Sequence, residues 1–273
     1  MADAAVAEPP TWTIQGRHGT MLLFGAVHVL PPGLDWQPKA LTDAVRQADE
    51  IWFELPIGGD SDVKAAALIS RRGLLPKGAG LSSWLTSDEQ QRLWRAAGAM
   101  GVAPGGLQAM RPWLAEITLS LAIDTRAGAD VANGVERYIQ AIAPATARRR
   151  AFETADDQVG FLAGESFHDQ RATLELTLTE IETQPDSYRR TLNAWLAGDL
   201  QTLMAEDLDP LRSAAPAAYR RLISDRNRRW VKILERRLKG AGKVVVVVGM
   251  GHLIGQDGVP ALLRAAGYAV TGP

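Results

Sequence analysis

The chain of 273 residues contains no cysteine, only four histidines, and almost no excess of either charge: 30 Lys and Arg stand against 31 Asp and Glu, a net charge of −1. Without thiols there are no disulfides, zinc–thiolate or iron–sulfur centres, and no Cys nucleophile. A balanced charge argues against nucleic acid as a partner, because phosphate binding needs a basic surface. Fully apolar runs such as Val244–Val248 fall far short of the roughly 20 residues a membrane helix needs, so no transmembrane segment is expected. Hydrophobic residues make up 46% and charged residues 22%, which excludes disordered and collagen-like classes. At about 150 residues per domain the length fits one large domain or two modest ones.

Residues 1–12 begin small, polar and proline-ended and are expected to be a disordered lead-in. The first ten lack the basic n-region and apolar h-region of a signal peptide. They suit either a frayed cytoplasmic terminus or what remains after cleavage of an exported chain.

Thr20–Val27 (TMLLFGAV) and Ile51–Leu55 (IWFEL) read as buried strands on either side of an amphipathic helix over Lys39–Glu50. Strand, helix, strand in that order is a βαβ unit and implies parallel pairing. Lys243–Val248 (KVVVVV) must be a central strand, followed by a helix over Asp257–Ala266 and a last strand at Tyr268–Val270. Between these ends the pattern is helical, with Ser87 and Gln90 at capping-box spacing, Pro112 in a helix first turn, and one strand at Arg149–Phe152. The expected fold is therefore α/β: a central mixed or mostly parallel sheet built from both chain ends, with a helical insert over about 60–238 in a single domain spanning 13–273. Thirteen acids and three basic residues fall within 153–209, and eleven basic residues and two acids within 212–243, which reads as complementary helix faces. Trp84, Trp94, Trp113, Trp195 and Trp230 all fall in or beside helices and are expected mainly in packing, with Trp36 or Trp113 lining a cleft.

Two of the four histidines share a local setting. Gly25-Ala26-Val27-His28 follows MLLF, and Gly249-Met250-Gly251-His252 follows VVVVV. In a parallel sheet both strands deliver an imidazole to the carboxyl-end rim, where ligands bind. Glu54 near the end of IWFEL and Glu153 after RRAF reach the same rim. Two imidazoles and one or two carboxylates suit a divalent metal site, which activates water, or metal-free acid–base chemistry. His18 and His168 lie in polar surroundings and read as surface residues.

The blocks LFGAVHVLP, IWFELP, Arg111-Pro112-Trp113, RAFET, Trp195-x-x-Gly198-Asp199, DRNRRW and VVVVVGMGHLIGQDGVPALLRAAGYAV together resemble the TraB/GumN family, from about Thr20 to Val270. That family is related to the Tiki metalloproteases and, more distantly, to erythromycin-esterase-like and ChaN-like proteins. The resemblance implies a sheet shared by the chain ends, a helical insert and a metal-dependent hydrolase site. By that likeness His28, Glu54 and His252 are the active-site motif residues and Arg226-Asn227 belongs to a second motif; the three are expected to hold a divalent ion (Mn, Co or Zn), with Glu153 taking a proton from water and Arg226 stabilising the oxyanion. It implies a peptide or small-molecule substrate and tilts the location to the periplasm, with the cytoplasm as the alternative. The oligomeric state is left open. Met250 departs from the small residue common at its position and is expected to narrow the pocket. A non-catalytic envelope binding protein and a metal-free esterase-like hydrolase are the competing readings.

Overall fold

The computed structural model describes residues 8–273. Residues 1–7 of the expected lead-in lie outside the described residues. The rest of it is a correction: β1 (Thr11–Gln15) starts inside the segment read as disordered. Its alternation is short but real, with Trp12 and Ile14 buried at 1% and 0% exposure. Only pairing with β2 (His18–Ala26) reveals it, because five residues carry little periodic signal.

The other strands are β3 (Glu50–Phe53), β4 (Arg148–Ala151), β5 (Ala241–Gly249) and β6 (Val270–Thr271), and the sheet order is β4-β3-β5-β2-β1-β6. β4, β3, β5 and β2 run parallel, and β1 is antiparallel to both its neighbours. β5 lies between β2 and β3 with Val244–Val248 buried, as a valine run requires when both faces of a strand are covered. The chain ends thus supply most of the sheet, and β4 comes from the middle segment.

Register sets the site. Ala26 pairs with Gly249 and Phe53 with Val247, so β2, β5 and β3 end nearly level. Phe53 pairs with Ala151, and the ladder continues past β4 with the Glu153 N–H donating to the Glu54 carbonyl at 3.0 Å. The Lys39–Arg46 helix joins β2 to β3 and buries Leu41 and Val45. The Asp225–Leu238 helix packs Arg226, Asn227, Trp230, Leu234 and Leu238 inward at three- to four-residue spacing.

The helical segment has its own apolar cluster, with Leu93 and Ala97 on the Ser87–Met100 helix, Leu119 on Pro112–Arg126, and Leu174 and Leu178 on Phe167–Thr183. The capping box sits one residue earlier than the spacing suggested: Thr86 accepts from the Glu89 N–H, and Glu89 accepts from the Thr86 N–H. Ser87 is already inside the helix. Trp113, Trp195 and Trp230 are buried, whereas Trp84 is 44% exposed and stacks on Phe167. No described helix is long and apolar enough to cross a membrane.

Candidate active site

Each Gly-x-x-His glycine has a separate steric duty. A Cβ on Gly25 would lie 2.3 Å from Met250 Cε, so Gly25 is the floor on which Met250 rests. A Cβ on Gly249 would lie 3.0 Å from Glu54 Oε1 and 3.2 Å from His28 Nε2, so Gly249 opens the space those atoms share. Gly134 does the same for the Val135–Ile142 helix, because a Cβ there would meet the His28 carbonyl at 2.1 Å. That close approach lets the Val135 N–H donate to the Val27 carbonyl and brings Glu136 beside His28.

The result is a connected set of side chains on the rim. His28 Nδ1 is 2.6 Å from Glu136 Oε1, and its ring opens to the cleft. The Gly249 N–H donates to Glu54 Oε1 at 2.6 Å, and Arg226 Nη2 donates to Glu54 Oε2 at 2.7 Å. The Arg226 fork also grips Glu153, with Nε–Oε1 at 2.9 Å and Nη2–Oε2 at 2.8 Å. Trp230 Nε1 donates to Glu153 Oε1 at 2.9 Å, and the guanidinium lies over the Trp230 ring at 5.0 Å.

His252 is buried against Trp230, with ring centroids 4.4 Å apart. Its tautomer follows from Asn227, whose amide N–H groups donate to the carbonyls of His252 and Asp257 at 3.2 and 2.8 Å. Asn227 Oδ1 therefore accepts from His252 Nδ1–H at 2.7 Å, which leaves a lone pair on Nε2. That Nε2 stands 3.8 Å from Glu54 Oε1.

The electrostatics separate the groups. The Glu136 carboxylate 2.6 Å away raises His28 to about 9. Burial opposes a charge on Glu54, but the Arg226 guanidinium, the His28 cation and the Gly249 N–H outweigh it and hold the carboxyl down to about 2. Burial pushes His252 down to about 3, so it stays neutral. Asp124, on the cleft wall, is pushed up to about 7 by burial and by Glu180.

The cleft encloses about 580 Å³ and is lined by His28, Glu54, Asp124, Arg226, Gly249, Met250 and His252. Met250 does line it, as expected, with its thioether seated over Gly25. Among the described residues, no group of three or more His, Cys, Asp or Glu side chains is arranged to hold a metal ion as it stands. The donor chemistry nonetheless fits one: both imidazoles have Nδ1 held by an outer oxygen, as metal-binding histidines generally do. Their Nε2 atoms and Glu54 Oε1 border the same space.

The structure brings His28, Glu54, His252, Arg226 and Glu153 together, and leaves His18 and His168 exposed at the surface. The proton-accepting role expected of Glu153 does not fit its position. Both its oxygens accept from Arg226 and Trp230, and it does not line the cleft. Arg226 is likewise held by two carboxylates and by the Leu222 carbonyl at 3.0 Å, so it is not a free oxyanion donor. Glu136 was missed, because nothing in GVERYIQ marks one glutamate on a short helix. Asn227 was visible only as the neighbour of Arg226 in DRNRRW. Two π-helical turns, Met204–Leu208 and Arg220–Ser224, supply Asp207 and Ile223 to the cleft wall and carry no pattern that a 3.6-residue period could expose.

The TraB/PrgY/gumN family model matches residues 10–272. YbaP of Escherichia coli (strain K12) is 24% identical over 244 residues, covering 89% of this chain and 87% of that one. YbaP of Shigella flexneri gives the same identity and coverage. No solved structure is matched.

Proposed function

Because the chain belongs to the TraB/PrgY/gumN family, we propose that its cleft is the active site of a metal-dependent hydrolase acting on peptide bonds. The observation that carries the reading is the meeting of two acceptors. His252 Nε2 carries a lone pair and lies 3.8 Å from ionised Glu54 Oε1, with His28 Nε2 turned to the same space. Facing acceptors repel unless a cation or a proton lies between them; protonated His28, raised to about 9 by Glu136, supplies positive charge there until an ion displaces its Nε2 proton. His28, Glu54 and His252 would hold the ion, and Mn, Co or Zn suits two imidazoles and a carboxylate. When bound, such an ion acidifies water and polarises a carbonyl.

The surrounding residues have definable tasks. Glu136 and Asn227 fix the two ring planes, and Glu153 clamps Arg226 so that Arg226 in turn fixes Glu54. Asp124, with a carboxyl that titrates near neutrality, is the cleft group suited to exchange a proton with substrate or water.

The test is metal content and Mn, Co or Zn thermal shift on wild type, His28→Ala and His252→Ala, with peptide hydrolysis followed before and after chelation. Wild type should bind metal and cleave peptides, with both properties weakened in each variant. Equal metal binding by all three proteins refutes the ion site. A second reading, metal-free acid–base hydrolysis, is favoured by the donors already present on both Glu54 oxygens. It predicts turnover that survives chelation and is lost in His28→Ala.

A further inference from the structure

Beside the cleft lies a second chamber of about 420 Å³, walled by the Pro112–Arg126 and Phe167–Thr183 helices and the chain around Asp207. Among the described residues, four carboxyl groups that line it, Glu116, Glu165, Glu180 and Asp207, have no salt-bridge partner and no Lys or Arg lines it, although Arg221 lies behind the wall near Gly164 and Glu165. Glu206, at the margin, is already paired with Arg190 at 2.8 Å. The chamber and the cleft share Glu116, Ser120, Thr191 and Asp207, so the two spaces adjoin.

Three polar atoms on this wall are buried with no partner: Glu165 Oε1, Ser187 Oγ and Trp113 Nε1. Their residues are 8%, 5% and 1% exposed. A buried polar group without a partner costs free energy, and such groups in a native chain ask what satisfies them. Glu165 Oε1 can only accept while ionised, and Trp113 Nε1 can only donate. A ligand that satisfies both must offer a cationic donor and an oxygen acceptor.

We propose that this chamber is a specificity pocket for a basic side chain, lysine or arginine, of the peptide cut in the adjoining cleft. The inference rests on the hydrolase reading for its substrate, but the binding it describes can be measured without turnover. The guanidinium or ammonium group sits among Glu116, Glu165 and Asp207, and the adjacent backbone carbonyl faces Trp113 Nε1 and Ser187 Oγ. Burial, helped by neighbouring carboxyls, pushes Glu116, Glu165 and Asp207 up to about 7, against the pull of Arg221 on Glu165 and of the Ser120 hydroxyl on Glu116. A bound cation among these acids would restore their ionisation.

The test is calorimetric titration of chelator-treated protein with agmatine and with its neutral counterpart butylurea, on wild type, Glu165→Gln and Glu116→Gln. It is paired with cleavage of peptides differing only in Arg against citrulline. Charged hydrogen bonds of this kind correspond to about 10- to 100-fold in affinity. Agmatine should therefore bind wild type and lose about ten-fold or more in each variant, while butylurea binds none of them. Arg peptides should be cleaved faster than citrulline peptides by wild type, with the preference lost in the variants. Agmatine binding that equals butylurea binding, or that is unchanged in both variants, overturns the proposal. Peptide cleavage indifferent to the charge also overturns it while leaving the hydrolase intact. Selective agmatine binding without any peptide cleavage supports the chamber and removes the hydrolase.

Discussion

Arg226 is 6% exposed and holds two buried carboxylates at once, so its loss should be felt as stability before it is felt as chemistry. In Arg226→Met the aliphatic volume stays, but the fork contacts to Glu153 and the contact to Glu54 disappear. Glu153 keeps the Trp230 N–H at 2.9 Å and a looser ion pair with Arg229 at 3.9 Å, and Glu54 keeps the Gly249 N–H hydrogen bond at 2.6 Å. Removing one partner of a buried ion pair costs about 3–5 kcal/mol, because the remaining charge is left without compensation. At about 2–4 °C per kcal/mol for a chain of this size, the melting temperature should fall by about 6–20 °C. Urea unfolding followed by circular dichroism gives the free-energy difference directly. The double variant Arg226→Met/Glu153→Gln removes one of the stranded charges, so it should be more stable than Arg226→Met alone. A loss below about 1 kcal/mol in the single variant, or strictly additive effects in the double, would refute the view that this arginine neutralises the site.

Two more outcomes follow from packing and titration. Glu165 is held near 7 by burial, above the ordinary 4.5, so the folded chain binds more protons than the unfolded one between those values. Its contribution to stability is full below about pH 4.5 and is lost as pH rises through 7. Glu165→Gln should match wild type near pH 4.5 and exceed it near pH 8 in urea titrations. An advantage that shrinks with rising pH would contradict this. Gly25→Ala would drive a methyl into Met250 Cε at 2.3 Å, and overpacking of this kind costs about 1–3 kcal/mol. Adding Met250→Ala should recover part of that loss in thermal melts. A double variant no more stable than Gly25→Ala would show that the strain lies elsewhere.

Much of the fold was legible because the strongest strands carry their burial in composition. Val244–Val248 could only be central, and MLLF and IWF only its neighbours. The rim residues His28, Glu54 and His252 could be named because each follows an apolar strand directly, so a parallel sheet brings them to one edge whatever their separation along the chain. β1 escaped notice because Thr11–Gln15 is short and amphipathic, and only the β2 ladder makes it a strand. The capping box slipped from Thr86 to Ser87 because both residues offer a hydroxyl at workable spacing.

The sequence by itself determined which groups reach the site; the tertiary structure decided what each can do there. Arg226 and Glu153 looked like free catalytic groups, but the Asp225–Leu238 helix lies so that each takes up the other's hydrogen-bonding capacity. Glu136, silent in the sequence, gained importance because Gly134 allows its helix to touch the His28 backbone. The two histidines look alike in the chain, yet Glu136 draws His28 to about 9 while burial drops His252 to about 3. Strand endings follow from local composition, which a sequence displays. Charge, tautomer and proton affinity depend on which groups lie within a few ångströms across gaps of 25 to 195 residues, and only the folded chain brings those groups together.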